Sequence, residues 1–490
     1  MQAFDMNLPG KRSFFLFALI VLLSGCAAPY PRVSPDFQKE WQHQQYTAQA
    51  YLLPSASIAF AERLNLIQQA TQTIDITYFS WNGDTLGLML LNALKEAADR
   101  GVIVRIALDD LLVFNEKWLA DIDSHENIDI RLFNPFSSRK MGWMGRSIEF
   151  SINQQQLDNR LHEKYFNVDQ QFLILGGRNI GDEYFGYSQT ANFFDLDVLF
   201  KGPLITAFAN NYQRLWESGL LTPISTLIDV ESDGQFKYFK QRYQKTQEKN
   251  VAIVEDLATT LATLPVAQYT EVQVIPVFDS LNKLQDSQPY FRSRAEHIIA
   301  KELSDAQHAI ISTPYIVPTD GEFVVLSQLT SNGADVRLAT NSSASNDSLF
   351  VPAYYETHRE TLLDMGINIV EYKDQAKNSD NFYHADTYYH NKTIVLDSEV
   401  SYIGSSNFDP RSDFINIEFG LFVYSEPFAL QIQDYLFNDK DELYWRVLRN
   451  KSGQVEWHSG DEIHHQNPNY GGWHSLPDWF FRKMNAESEL

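Results

Sequence analysis

The sequence predicts an α/β fold made of two similar halves. Each half is a mixed sheet with helices on both faces, and one site lies at the seam between them. Three features carry this prediction. Strand-like and helix-like periodicities alternate in a strand–helix–strand order. The same order returns in the second half of the chain. The same spaced set of polar residues then follows in each copy.

In the first copy, Thr73–Ser80 is β-branched and aromatic and reads as a strand. Asp84 or Thr85 can cap a helix whose apolar residues Leu86, Met89, Leu90, Ala93, Leu94 and Ala97 trace one face. Gly101 stops that helix, and Val102–Leu108 runs as a nearly continuous apolar strand, as in a parallel sheet buried on both faces. In the second copy, Ala309–Tyr315 is the strand, Glu322–Thr330 the helix, Gly333 the stop and Ala334–Ala339 the next strand. The expected organisation is a signal segment over 1–25, a tether over 26–45, a first half over 46–222 and a polar helical connector over 223–270. A second half covers 271–450 and a Trp-, His- and Gly-rich tail covers 451–490.

The duplication is sharpest in two segments. Arg160-Leu161-His162-Glu163-Lys164 leads to Asp169 and then Gly176-Gly177-Arg178-Asn179. Tyr388-Tyr389-His390-Asn391-Lys392 leads to Asp397 and then Gly404-Ser405-Ser406-Asn407. Lys, Asp, Gly and Asn stand at matching offsets from each histidine. On a strand, His and Lys two apart share a face. The glycine turn can return Asn179 or Asn407 beside the lysine. Two such halves meeting face to face assemble two imidazoles, two ammonium groups and two carboxamides, a set suited to a phosphodiester anion. Lys164, Lys392, Asn179 and Asn407 would stabilise charge on the non-bridging oxygens. One imidazole would attack phosphorus while the other protonates the leaving oxygen, with no metal or cofactor required.

Composition narrows the partners. The chain has 490 residues, 63 acidic against 39 basic, for a formal charge of −24. Such a body disfavours nucleic acid, which needs clustered Lys and Arg. The single cysteine, Cys26, excludes an internal disulfide and a Cys-rich metal site. Lys11 and Arg12 precede an apolar run, Phe14 to Leu23, that is too short to span a bilayer and fits a secretory signal. Leu23-Ser24-Gly25-Cys26 resembles a bacterial lipobox, which implies lipidation at Cys26 and a membrane anchor. Ala27 in place of an aspartate after the cysteine implies, by resemblance to Gram-negative lipoproteins, the periplasmic face of the outer membrane.

The paired motifs resemble the phospholipase D superfamily, whose two HKD motifs build one site by pseudo-twofold pairing, and the resemblance spans roughly 46–450. Arg131-Leu132-Phe133-Asn134-Pro135-Phe136, Gly176–Phe185 and Asn407-Phe408-Asp409-Pro410-Arg411-Ser412 are similar to bacterial cardiolipin synthases of the C type. The resemblance implies transfer of a phosphatidyl group from phosphatidylethanolamine to phosphatidylglycerol through a phosphohistidine. It implies His162 as nucleophile and His390 as acid/base. It also implies Asp195 and Glu418 as the carboxylates that orient the histidines, with Asp197 the rival to Asp195. Asp169 and Asp397, with Gly176, Gly177, Gly404 and Ser405, belong to the motif as structural positions. Ser405 departs from Gly177 and is read as a tolerated small residue. A hydrolytic phospholipase D, a superfamily nuclease and a lipid-binding lipoprotein without turnover are the alternatives.

Other features are read more plainly. His384 is expected in a loop and His464-His465 in a solvated tail, because no third metal ligand has suitable spacing. Gly176-Gly177 and Gly181 lack the Lys-Ser/Thr of a nucleotide loop. Met141, Trp143 and Met144, flanked by Arg139, Lys140 and Arg146, form a basic-aromatic loop that could meet lipid headgroups or pack on its own domain. Trp479–Lys483 is a second membrane-contact candidate.

Overall fold

The computed structural model describes residues 32–34, 42–231, 234–348, 350–471, 478 and 487. The signal segment, Cys26 and the stretch Trp479–Lys483 lie outside the described residues. The first half contributes strands β1 (Tyr46–Leu52), β2 (Thr73–Tyr78), β3 (Ile103–Asp109), β4 (Ile128–Phe133), β5 (Tyr165–Val168), β6 (Phe172–Gly176), β7 (Ala191–Phe194), β8 (Asp197–Lys201) and β9 (Leu221–Pro223). The second contributes β10 (Thr270–Phe278), β11 (His308–Ser312), β12 (Asp335–Asn341), β13 (Asn368–Tyr372), β14 (Asp386–Tyr389), β15 (Thr393–Leu396), β16 (Val400–Gly404) and β17 (Phe419–Tyr424), then β18 (Tyr444–Arg449), β19 (Val455–Ser459) and β20 (Glu462–His464).

Eighteen of these strands form one sheet. From one edge the pairing runs β9-β4-β3-β2-β5-β6-β8-β1. It crosses to the second half at the antiparallel pair β1–β10, Tyr46↔Val274 to Ala50↔Thr270. It continues as β10-β17-β16-β15-β11-β12-β13-β18-β19-β20. The parallel trio β2-β3-β4 is repeated by β11-β12-β13, so the strand order reads alike outward from the β1–β10 seam. Ile74, Ile76, Val104, Ile106 and Ile130 share one buried face of the first trio, and Asp75, Thr77 and Ala107 are buried on the other, so the trio is covered on both sides. Two helices, Lys237–Lys249 and Val251–Ala262, occupy the connector.

Local chemistry sets the elements. The Asp84 carboxylate accepts the Gly87 N–H at 3.1 Å and starts the helix Thr85–Asp99, which buries Leu86, Leu90, Leu94 and Ala97. Gly101 and Gly333 leave the two equivalent helices at φ +96° and +86°. The β5–β6 hairpin turns on Asp169-Gln170 and the β15–β16 hairpin on Asp397-Ser398, all four at positive φ, the geometry of a two-residue turn between twisted strands. The Asp169 carboxylate accepts the N–H groups of Thr71, Gln72 and Thr73 at 2.8–2.9 Å. Asp397 accepts those of Gln307 and His308 at 2.9 and 2.7 Å. The motif aspartates thus tie each hairpin to the start of β2 or β11.

Partial burial works against the charge on Asp169, but the three N–H donors and the Thr71 hydroxyl outweigh it and hold its carboxyl below the usual range. A lowered folded value means that this stabilisation is present above the unfolded carboxyl range and fades as pH falls through the folded value. Asp169→Ala is therefore expected to lower the unfolding free energy by about 1–3 kcal/mol near neutral pH, with the difference shrinking below about pH 4. Denaturant titrations at two pH values measure it.

Three sequence expectations need correction. His162–Lys164 and His390–Lys392 lie in extended connections ahead of β5 and β15, because the backbone beside each histidine pairs with the other half. The segment expected as a basic-aromatic loop is a helix, Gly142–Leu157, after a short turn Arg139–Met141. Arg139 and Arg146 do not face solvent: both are buried and donate to the Asp110 carboxylate. The tail adds strands β19 and β20 to the sheet edge.

Candidate active site

Two parallel backbone pairings, each joining one half to the other, place the two motif histidines. At the first, Leu161 pairs with Ile417. The His162 N–H donates to Ile417 O at 3.0 Å and the Ile417 N–H to Arg160 O at 2.8 Å. At the second, β7 pairs with β14 in the register Tyr389↔Phe194, and the His390 N–H donates to Phe194 O at 2.8 Å. The next residue on each strand therefore meets its opposite number. His162 Nδ1 lies 3.0 and 3.1 Å from the two Glu418 oxygens. His390 Nδ1 lies 2.7 Å from Asp195 Oδ2. Each imidazole takes its carboxylate from the other half, a crossing that the motif spacing does not reveal.

The two lysines are buried between these pairs, and each donates to its own histidine's carbonyl at 2.6 Å. Lys392 Nζ also lies 3.2 Å from His390 Nδ1. Burial, together with the charge of Lys392, pushes the Lys164 ammonium down to about 7. Burial pushes Lys392 down to about 8 against the pull of Asp195 and Glu418. His162 falls to about 4, because burial and Lys164 outweigh Glu418. His390 falls well below its ordinary value, through burial and then the charges of Lys392, Lys164 and His162. With Nδ1–H given to a carboxylate, each neutral ring keeps a lone pair on Nε2.

The two carboxylates are not equivalent. The Ser405 hydroxyl donates to Glu418 Oε2 and the Ser412 hydroxyl to Oε1 at 3.2 Å. Burial would raise Glu418, but His162, Lys164 and Ser405 hold it down to about 2. Asp195 accepts the Leu196 N–H at 2.8 Å, and burial pushes it up to about 6 despite Lys392 and Arg178. Gly177 occupies the position of Ser405, and a Cβ there would sit 2.3 Å from both Asp195 oxygens. The Gly177/Ser405 difference is thus part of the asymmetry.

The remaining expected residues divide. Asp197 turns away from the histidines to Arg63 at 2.9 Å and Arg178 at 3.5 Å, so Asp195 is the carboxylate that faces His390. Gly176 allows that approach, since a Cβ would fall 2.1 Å from Asp197 Oδ1. Gly404 likewise abuts the Tyr402 hydroxyl. The Asn179 carboxamide accepts the Ser80 N–H at 3.3 Å and donates to the Tyr184 hydroxyl at 3.2 Å. Asn407 is buried, with its Oδ1 unpaired in hydrogen-bond terms. His384 is exposed in the loop before β14. His464 pairs with Glu462 and His465 with Glu456.

Sequence reading missed the support beneath Glu418. Lys283 is fully buried, paired with Asp279, and donates to the carbonyls of Ser412 and Asn416 at 3.0 and 2.9 Å. Asp279 Oδ2 accepts the Glu418 N–H at 3.2 Å. It also missed the aromatic wall of His390, where Tyr184 and Phe193 stack and present edges at 5.5 and 5.3 Å. The Asp279–Lys283 spacing of four was the one visible signal.

Comparison with known proteins identifies the family. A family model described as "Cardiolipin synthase, PLD-like domain" matches residues 64–216 and 299–440. Cardiolipin synthase C of Escherichia coli (strain K12) is 31% identical over 443 residues, covering 86% of this chain and 91% of that protein. The cardiolipin synthase of Clostridium perfringens (strain SM101 / Type A) is 26% identical over 387 residues, covering 78% and 68%. The crystal structure of phosphatidylserine synthase from Haemophilus influenzae Rd KW20 aligns with a TM-score of 0.59 at 14% identity, over 97% of this chain and 99% of that one, a likeness of fold. The chain belongs to the cardiolipin synthase family of phospholipase D-like proteins, and is a phosphatidyltransferase-type enzyme of that superfamily.

Proposed function

We propose that the protein makes cardiolipin by moving a phosphatidyl group from phosphatidylethanolamine to phosphatidylglycerol through a phosphohistidine at His162. The observation that carries this reading is the crossed pair of histidine–carboxylate contacts around two buried lysines. Lys164 and Lys392 hold the non-bridging oxygens, with Asn179 and Asn407 as neutral donors. His162 Nε2 attacks phosphorus and the bond to the ethanolamine oxygen breaks. That oxygen takes a proton from His390 and leaves as free ethanolamine. A phosphatidylglycerol hydroxyl then gives its proton to His390 as its oxygen attacks phosphorus, the phosphorus–nitrogen bond breaks, and cardiolipin departs. The anionic phosphodiester offsets the lysine charges that depress His390, so a proton can reside on the His390–Asp195 pair.

Purified full-length protein given defined vesicles of both lipids is expected to yield cardiolipin and ethanolamine. Phosphatidic acid in their place would convert the assignment to hydrolysis. Run across pH, the same assay is expected to show kcat/KM rising as His162 loses its proton above about 4 and falling above about 7–8 as Lys164 and Lys392 lose theirs. A bound anion favours both ammonium groups, so kcat is expected to hold to higher pH than kcat/KM. Identical alkaline limbs would contradict the lysine assignment.

Among the described residues no helix is long and apolar enough to cross a membrane. Lipidation at Cys26 is the proposed anchor, and outer-membrane sorting follows the Ala27 reading. Incorporation of labelled palmitate that persists in Cys26→Ser would overturn it.

A further inference from the structure

We propose that the helix Gly142–Leu157, the loop 110–117 beneath it and the cleft beside the helix Lys237–Lys249 form one docking face for an anionic phospholipid bilayer. The inference deepens the proposed function by naming the surface through which the site meets its lipid.

The outer face of the helix carries an apolar stripe. Met144, Ile148 and Ile152, four apart, are 56%, 56% and 74% exposed. The opposite face, Arg146, Phe150 and Leu157, is buried against Phe136 and Leu111. The only acidic residue of the helix, Glu149, accepts the N–H groups of Ser137 and Ser138 at 2.9 and 2.6 Å, so the stripe carries no carboxylate in a chain of charge −24. A helix face of this kind lies in the plane of a lipid interface.

Charge complementarity selects an anionic bilayer as the occupant. Lys117, Arg242, Lys245 and Lys249 line a cleft of about 600 Å³ with one acid, Glu116, which accepts the Trp118 indole N–H. One loop joins stripe and cleft. Arg139 donates to the carbonyls of Val113 and Phe114 at 2.8 and 2.6 Å, and the Arg146 guanidinium lies 4.3 Å over the Phe114 ring. The exposed Leu112 and Phe114 then lead directly into the cleft wall at Asn115. The same loop is fixed to the site: Asp109, next to Asp110, accepts the Leu161 N–H at 2.8 Å and pairs with Arg160, immediately before His162.

The test places a photo-crosslinking diazirine residue at Ile152, or at the exposed Val324 of the second half as control, in the full-length chain on phosphatidylglycerol-containing vesicles. Lipid adducts are expected at position 152 and not at 324, and they should weaken severalfold in Lys245→Glu/Lys249→Glu or at about 1 M salt. Ile148→Asp/Ile152→Asp should lose about tenfold in turnover on vesicles while keeping turnover of a monomeric short-chain phospholipid within about twofold. Equal adducts at both positions, none at 152, or equal loss on both substrates would overturn the docking face. Absence of turnover by the unsubstituted chain would count against the proposed activity alone, since the adduct pattern decides the surface independently.

Discussion

His162→Ala is expected to lower turnover by about 10⁴- to 10⁶-fold, because on the proposed mechanism it removes the only bond the enzyme itself makes to phosphorus. His390→Ala should fail differently. With His162 and Glu418 intact, attack on a donor remains possible, but the acceptor hydroxyl loses its base and the second step stalls. A donor carrying a labelled phosphate should therefore leave label on the His390→Ala protein, stable in alkali and released by acid as a phosphorus–nitrogen bond requires. The unsubstituted protein should show it only transiently, and His162→Ala not at all. Normal turnover by His162→Ala would end the assignment of this residue as nucleophile. Label on His162→Ala at His390 would reverse the two roles. Both substituted proteins should fold, since each histidine's backbone N–H, not its ring, makes the bridge to Ile417 or Phe194.

The parts of this site that were legible in the sequence are those fixed by covalent distance. His162, Lys164, Asp169 and Gly176 stand at the offsets of His390, Lys392, Asp397 and Gly404 because each set is built by one connection and one hairpin, and a hairpin preserves its spacing. The helix Thr85–Asp99 was legible for a similar reason, since its stripe and its Asp84 cap are local. What was not legible depends on chain segments far apart. Glu418 and His162 are 256 residues apart, and Asp195 and His390 are 195 apart. Their pairing rests on β7 and β14, four-residue strands too short to carry a period, and on the single bridge Leu161–Ile417. β1 and β10, which close the seam, likewise pair segments that no local spacing connects. At Arg139 and Arg146 the residue types suggested headgroup contact, whereas Asp110, buried at the end of β3, draws both inward.

Glu418→Gln and Asp195→Asn are expected to separate the two steps that one symmetric motif pair would merge. On the proposed mechanism Glu418 acts through His162. It is held down to about 2 by the imidazole, Lys164 and Ser405, so it remains a full anion against the charge that develops on His162 as the phosphorus–nitrogen bond forms. An amide there offers no charge and can turn its NH₂ toward Nδ1, favouring the wrong tautomer. Formation of the labelled intermediate should slow by about 10³- to 10⁴-fold, the scale on which neutralising the carboxylate behind a catalytic imidazole is felt. On the same mechanism Asp195 acts through His390. Pushed up to about 6 by burial, it binds a proton more readily than Glu418 and suits the partner of a residue that must give and then take one. Asp195→Asn should leave attack faster than in Glu418→Gln and slow the acceptor step more, so the label accumulates. Ser405→Gly gives the control for this asymmetry. It removes a hydroxyl from Glu418 and makes that position match Gly177, and it is expected to move the low-pH limb upward while the protein stays folded. Equal effects of the two carboxylate substitutions on both steps would mean that the halves act interchangeably, and that Ser405 and Gly177 differ for reasons other than catalysis.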